Sequence, residues 1–210
     1  MSKNALSAST QENRIEVAQE LPAKYRDPIS MLKDCHRRIE KFLQFLITLA
    51  QKQDTTLDEE ARDNLEKALN YFIGVGELHN ADEEISLFPR LQSRQNVGNT
   101  KHVIELIEHL EDEHKYVETI HCQQDKVGRK WLTKNKLVDQ DRKSFQELTC
   151  SLIGIYEQHI AHEDNDLFVY ATSVLSPSEL GDIGEEMWER RGRKHCRTRT
   201  DSKTQGRKQS

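Results

Sequence analysis

The sequence predicts an all-α protein: an antiparallel up-down four-helix bundle made of two repeated helical hairpins, with a short fifth helix. Three observations carry this prediction. Glycine (9) and proline (4) are scarce for 210 residues, which disfavours folds built from many short strands and tight turns. Apolar residues recur at helical spacing in four long runs, and one stretch of chain returns 80 residues further on.

The elements follow in order. Residues 1–26 are polar and weakly patterned, and a flexible leader is expected there. Asp27 followed by Pro28 reads as a helix start, an acceptor for free backbone N–H groups and a ring pre-set for the first helical position. From there Ile29, Leu32, Ile39, Leu43, Leu46 and Ala50 mark a first helix to about residue 52. A second is expected over 57–91, with Pro89 kinking or loosening its last turn. Val103, Leu106, Ile107, Leu110, Val117 and Ile120 mark a third over 101–127, and a fourth fits 138–174. Ser176-Pro177-Ser178-Glu179 is a capping box that opens a short helix over 176–192. The domain is thus expected over 27–175, and a basic disordered tail over 193–210.

Composition narrows the function classes. Hydrophobic residues are 35% and charged residues 32%, the mark of a thin core with long solvated faces. The longest apolar stretch, residues 45–50, is far too short to span a bilayer, and the first ten residues lack a cationic start and an apolar run. Membrane insertion and export are therefore not expected, and the cytoplasm is. Cys35, Cys122, Cys150 and Cys196 form no C-x-x-C pair and read as reduced thiols. Residues 190–210 hold nine Lys/Arg against one acid, Asp201, a net of +8, so the rest of the chain carries −13. That basic end has no aromatic side chain to stack on bases, which argues against a nucleic-acid partner. No protein partner is indicated.

The repeat brings the chemistry into view. Residues 73–83 align with 153–163 at an offset of 80, and both copies continue into Leu-Phe, at Leu87-Phe88 and Leu167-Phe168. Upstream, Asp34-x-His36 and Asp112-x-His114 correspond at an offset of 78. Four of the nine histidines interrupt the apolar stripe of their own helix: His36, His79, His114 and His159. A glutamate follows each by four residues, at Glu40, Glu83, Glu118 and Glu163, and so lies on the same face. Burying several carboxylates without cations is costly, so a bound metal explains the set. A histidine-only contribution from the first and third helices is equally compatible, leaving Glu40 and Glu118 as solvated flanks. Nitrogen and oxygen donors without thiolate suit iron, manganese or zinc, and more than four donors argue for two ions over one tetrahedral zinc. There is no His-Glu-x-x-His, which excludes zinc-protease chemistry, and a ferritin-like site would need Glu-x-x-His twice, where only Glu111-x-x-His114 fits. His162 and Asp82 occupy matching positions beside the candidate donors and read as surface residues, with a supporting role as the alternative. His109 reads as solvated, His121 as a residue lower in the core, and His102 and His195 as incidental.

This constellation resembles the hemerythrin-like, or HHE cation-binding, domains. The resemblance covers residues 27–175 and rests on His36, His79-x-x-x-Glu83 with Leu87-Phe88-Pro89, His114, and His159-x-x-x-Glu163 with Leu167-Phe168. It implies a four-helix bundle around a non-haem centre of two iron ions, with an oxo or hydroxo bridge. Carried over, the bridging carboxylates are Glu83 and Glu163, with His36 and His79 on one iron and His114 and His159 on the other. The oxygen carriers of the family place a second histidine one turn from the first on the third helix, whereas His114 has Leu110 before it and Glu118 after it. The resemblance implies a protein that binds or reacts with O2, NO or peroxide, the alternative being a non-catalytic iron-binding or iron- and oxygen-sensing module.

Overall fold

Each apolar run becomes helix in the computed structural model, which describes residues 27–94 and 100–205 and contains no strand among them. The expected leader lies outside the described residues. Helix α1 spans Pro28–Ala50, α2 Glu59–Ala81, α3 Phe88–Gln92, α4 Thr100–Lys134, α5 Asp139–His162, α6 Phe168–Val174 and α7 Pro177–Gln205. Two π-helical segments, Asp82–Leu87 and Glu163–Leu167, splice α2 to α3 and α5 to α6, so the second and fourth long runs are each continuous helix.

Local chemistry sets the ends. Asp27 accepts from the backbone N–H groups of Ile29 and Ser30, and Pro28 occupies the first turn, where its missing donor costs nothing. Ser176 and Glu179 form the reciprocal cap read from the sequence: Ser176 N–H donates to Glu179 at 2.9 Å, and Glu179 N–H to the Ser176 hydroxyl at 3.3 Å. After α4, Asn135 takes the left-handed conformation (φ 58°) that asparagine tolerates better than most residues.

Two ends differ from expectation. Helix α4 runs past Val127 to Lys134, because Gly128 is a packing residue rather than a stop. A Cβ there would sit 2.6 Å from the Leu69 side chain, and Trp131, one turn on, is fully buried. Helix α7 does not end at 192 but continues to Gln205, so the expected disordered tail is helical backbone as far as residue 205. One glycine, Gly192, costs a helix only about 1 kcal/mol, and no proline follows it.

Helix α1 packs on α2 and α5, and α4 packs on α2 and α5, so each long helix has two long neighbours. Their stripes bury two apolar clusters. One holds Ile39, Leu46, Leu65, Leu69, Trp131 and Phe145; the other holds Leu32, Leu87, Phe88, Ile107 and Phe168, closed by Ile183 and Met187 of α7. Among the described residues no helix is long and apolar enough to cross a membrane.

Candidate metal centre

Each long run carries one histidine where its stripe passes from one apolar cluster to the other: His36 between Leu32 and Ile39, His114 between Leu110 and Val117, His79 between Phe72 and Leu87, and His159 between Leu152 and Leu167. A polar layer thus lies between two apolar ones. The four imidazoles are 2–6% exposed, and Glu83 and Glu163 are fully buried. Donor atoms of His36, His79, Glu83 and Glu163 lie within 4.8 Å of one another, and so do those of His114, His159, Glu83 and Glu163. Both carboxylates belong to both groups. Glu40 and Glu118 are exposed and join neither, so the first and third long helices contribute histidine alone.

The two carboxylates sit in the π segments, which the sequence analysis did not foresee. Phe88 N–H bonds to the Glu83 carbonyl and Phe168 N–H to that of Glu163, five residues back in each case. Pro89 follows the first segment without a break in the helix, at the start of α3. Val169 holds the matching place after the second, so proline is not what produces the wider turn.

The inward and outward ring nitrogens have different partners. The Nδ1 atoms of His36, His114 and His159 lie 3.0 Å from Asp164, 2.7 Å from Glu84 and 2.9 Å from Glu113, respectively. A carboxylate holding Nδ1–H fixes the tautomer and turns the Nε2 lone pair inward, as in carboxylate–histidine–metal sites. Two of these contacts cross between hairpins: Asp164 of the second holds His36 of the first, and Glu84 of the first holds His114 of the second. Phenylalanines cross the same way, with Phe168 stacked on His36 at 5.6 Å and Phe88 on His114 at 6.3 Å. Sequence reasoning missed Glu84, Asp164 and Glu113, although the acid that follows both Glu83 and Glu163, at the repeat's own offset of 80, was a visible signal for the first two.

The electrostatics are strained in a way a cation would relieve. Both oxygens of Glu83 and both ring nitrogens of His79 are buried without a hydrogen-bond partner. Each such group costs on the order of 1–3 kcal/mol if left so. Burial and the neighbouring Glu163 push the Glu83 carboxyl well above its ordinary range. Burial acts on Glu163 in the same sense, but His159 and His36, with Nε2 atoms 3.2 and 2.9 Å away, outweigh it and hold Glu163 well below. His159 is raised to about 9, since Glu163 and Glu113 overcome the effect of burial, while burial and the neighbouring His36 hold His79 well below its ordinary value. Four imidazoles and two shared carboxylates fit divalent iron, manganese or zinc, and the residues present therefore fit a bound metal.

The remaining candidates separate cleanly. Asp82, expected at the surface, is fully buried and ion-paired with Arg190 and Arg191 of α7, the latter at 2.6 Å. His162 is half-buried, its ring 6.1 Å from that of His109, which is exposed and lies 3.3 Å from Glu113. His121 is buried lower in the core, its ring stacked on Phe72 at 4.3 Å. It accepts from the Tyr156 hydroxyl at 3.1 Å and faces the Gln124 carbonyl at 3.4 Å, while Gln124 donates to Thr149 at 2.9 Å. His102 is exposed, and the side chain of His195 lies outside the described ones. Cys35, Cys122 and Cys150 are free thiols.

Comparison with known proteins agrees with this arrangement. The hemerythrin HHE cation-binding domain family model matches residues 27–171. An uncharacterized protein of Haemophilus influenzae is 28% identical over 173 residues, covering 80% of this chain and 92% of its own length. No solved structure matches.

Proposed function

Because the chain belongs to the hemerythrin HHE cation-binding domain family, we propose that residues 27–175 form a four-helix bundle holding two iron ions, at which the protein binds or reacts with O2, NO or peroxide. The observation that carries this reading is the pair of donor groups sharing Glu83 and Glu163. His36 and His79 would serve one ion, His114 and His159 the other. Bound there, two irons supply redox and Lewis-acid chemistry for a small diatomic or peroxidic ligand. The chain's own part is to present four inward imidazoles, to keep two carboxylates between them, and to exclude bulk water with Phe88 and Phe168. Leu110 is fully buried and apolar and Glu118 points to solvent, so neither adds a donor, which leaves coordination positions for an exogenous ligand.

A second reading, a non-catalytic iron-binding or sensing module, is favoured by one contact. The arginines of α7 hold Asp82, the residue immediately before Glu83, so a change at the centre is coupled to the C-terminal helix.

The test is elemental analysis and optical spectroscopy of protein purified without air, followed by rapid mixing with O2, NO or peroxide. Two irons per chain, near-ultraviolet absorption after oxidation and steady peroxide turnover support the reactive reading. Two irons without turnover support the sensing module, and one tight zinc with no iron overturns both.

A further inference from the structure

The metal-facing imidazoles and carboxylates correspond between the two halves of the centre, but the outer support of one histidine does not. In the second hairpin, Glu113 precedes His114 and lies 2.9 Å from Nδ1 of His159. In the first hairpin the residue preceding His36 is Cys35, and His79, the counterpart of His159, has no partner at Nδ1. Cys35 is 2% exposed and its thiol meets the guanidinium of Arg191. A neutral thiol is a weak acceptor and carries no charge to offer an imidazole. The other nearby acid, Asp82, is committed to Arg190 and Arg191. Three imidazoles therefore have an outer carboxylate and one does not.

We infer that the two metal positions are unequal: the His36/His79 position holds its ion more weakly and gives it up first, because Cys35 stands where Glu113 supports His159. This rests on the two-metal reading above. An outer carboxylate orients a ligating imidazole and raises its basicity, and removing one lowers metal affinity by roughly 10- to 100-fold. His36 keeps Asp164 and His114 keeps Glu84, so His79 alone distinguishes the two positions. Glu113 is accordingly a positioning residue for the tighter position.

The experiment is an anaerobic titration of the metal-free full chain with Co2+, in competition with a chromophoric chelator, with helicity followed by circular dichroism. Wild type should take two equivalents, the second ~10- to 100-fold weaker than the first. Cys35→Glu should tighten the weak step and leave the strong one in place. Glu113→Ala should weaken the strong step by a similar factor, leaving two weak ones. Cys35→Ser should change neither, since serine adds no carboxylate. Two equal steps in wild type overturn the inference, as does loss of the weak step in Cys35→Ser, which would make the thiol itself a ligand. Should Cys35→Glu fail to fold, Glu113→Ala carries the test, and an unchanged strong step in that variant refutes it. A single equivalent at saturation refutes the two-metal reading and this inference with it.

Discussion

Glu83 and Glu163 are related by the repeat and equally buried, yet replacing them by glutamine should have different consequences for the metal-free protein. The Glu163 oxygens lie 2.9 Å from His36 Nε2 and 3.2 Å from His159 Nε2, whereas those of Glu83 lie 3.5 Å from His79 and 3.4 Å from His114. Glu163 is therefore held in its ionised form by its imidazole neighbours, whereas burial and the neighbouring Glu163 press Glu83 towards its protonated form. His159 rises from 6.5 to about 9, and that difference is worth about 3 kcal/mol, most of it owed to Glu163 and the rest to Glu113. Glu163→Gln should thus destabilise the metal-free chain by about 2–3 kcal/mol at pH 7. Glu83→Gln removes a carboxyl whose charged form burial and Glu163 already disfavour, keeps its shape, and should cost no more than about 1 kcal/mol. A raised histidine contributes fully below its unfolded value and loses its contribution as pH climbs through its folded one. The Glu163→Gln deficit should accordingly shrink as pH rises from 6.5 towards 9 and be nearly gone at pH 10. Both variants should lose metal alike, since each carboxylate belongs to both donor groups. Urea unfolding of chelator-treated protein at pH 7 and pH 10, with metal content by elemental analysis, reads all of this. Equal destabilisation by the two variants, or two metals retained in either, refutes the reasoning.

Three further outcomes are expected. His121 is lowered to about 4 by burial, so between pH 6.5 and 4 the unfolded chain takes up a proton that the folded one refuses; wild type should lose about 3 kcal/mol across that window, and His121→Gln should lose correspondingly less in urea melts. Arg191→Met leaves buried Asp82 with Arg190 alone, at a cost of about 2 kcal/mol, and Asp82→Asn in the same chain should recover most of it in a double-mutant cycle. Gly128→Val drives a branched side chain into Leu69 and should cost about 1–3 kcal/mol, visible as a lowered Tm with unchanged metal content.

The helices and the inward histidines were legible in the sequence because both are local properties. Asp27-Pro28 and Ser176-Pro177-Ser178-Glu179 cap helices with their own side chains, and a stripe at helical spacing reports which residues share a face. His36, His79, His114 and His159 interrupt such stripes, so the layer they form between the two apolar clusters could be anticipated from one strand of text. The repeat added the pairing of Glu83 with Glu163. Spacing alone left Glu40 and Glu118 open, for a residue four places after an inward histidine sits near the edge of the buried face, and packing of the neighbouring helix decides whether it is covered. The π segments were illegible for a related reason: a five-residue hydrogen bond shifts every later side chain around the axis, and no apolar period announces it. Asp82 read as a surface residue because nothing near it in sequence could neutralise it; its partners, Arg190 and Arg191, arrive from α7, 108 residues on in the case of Arg190. The third helix was expected only to residue 127 because what continues it, the fit of Gly128 against Leu69 of another helix, is a tertiary contact. The carboxylates behind His36, His114 and His159 belong to the same class, since each reaches its ring from a different helical run, a proximity that exists only once the helices have packed on one another.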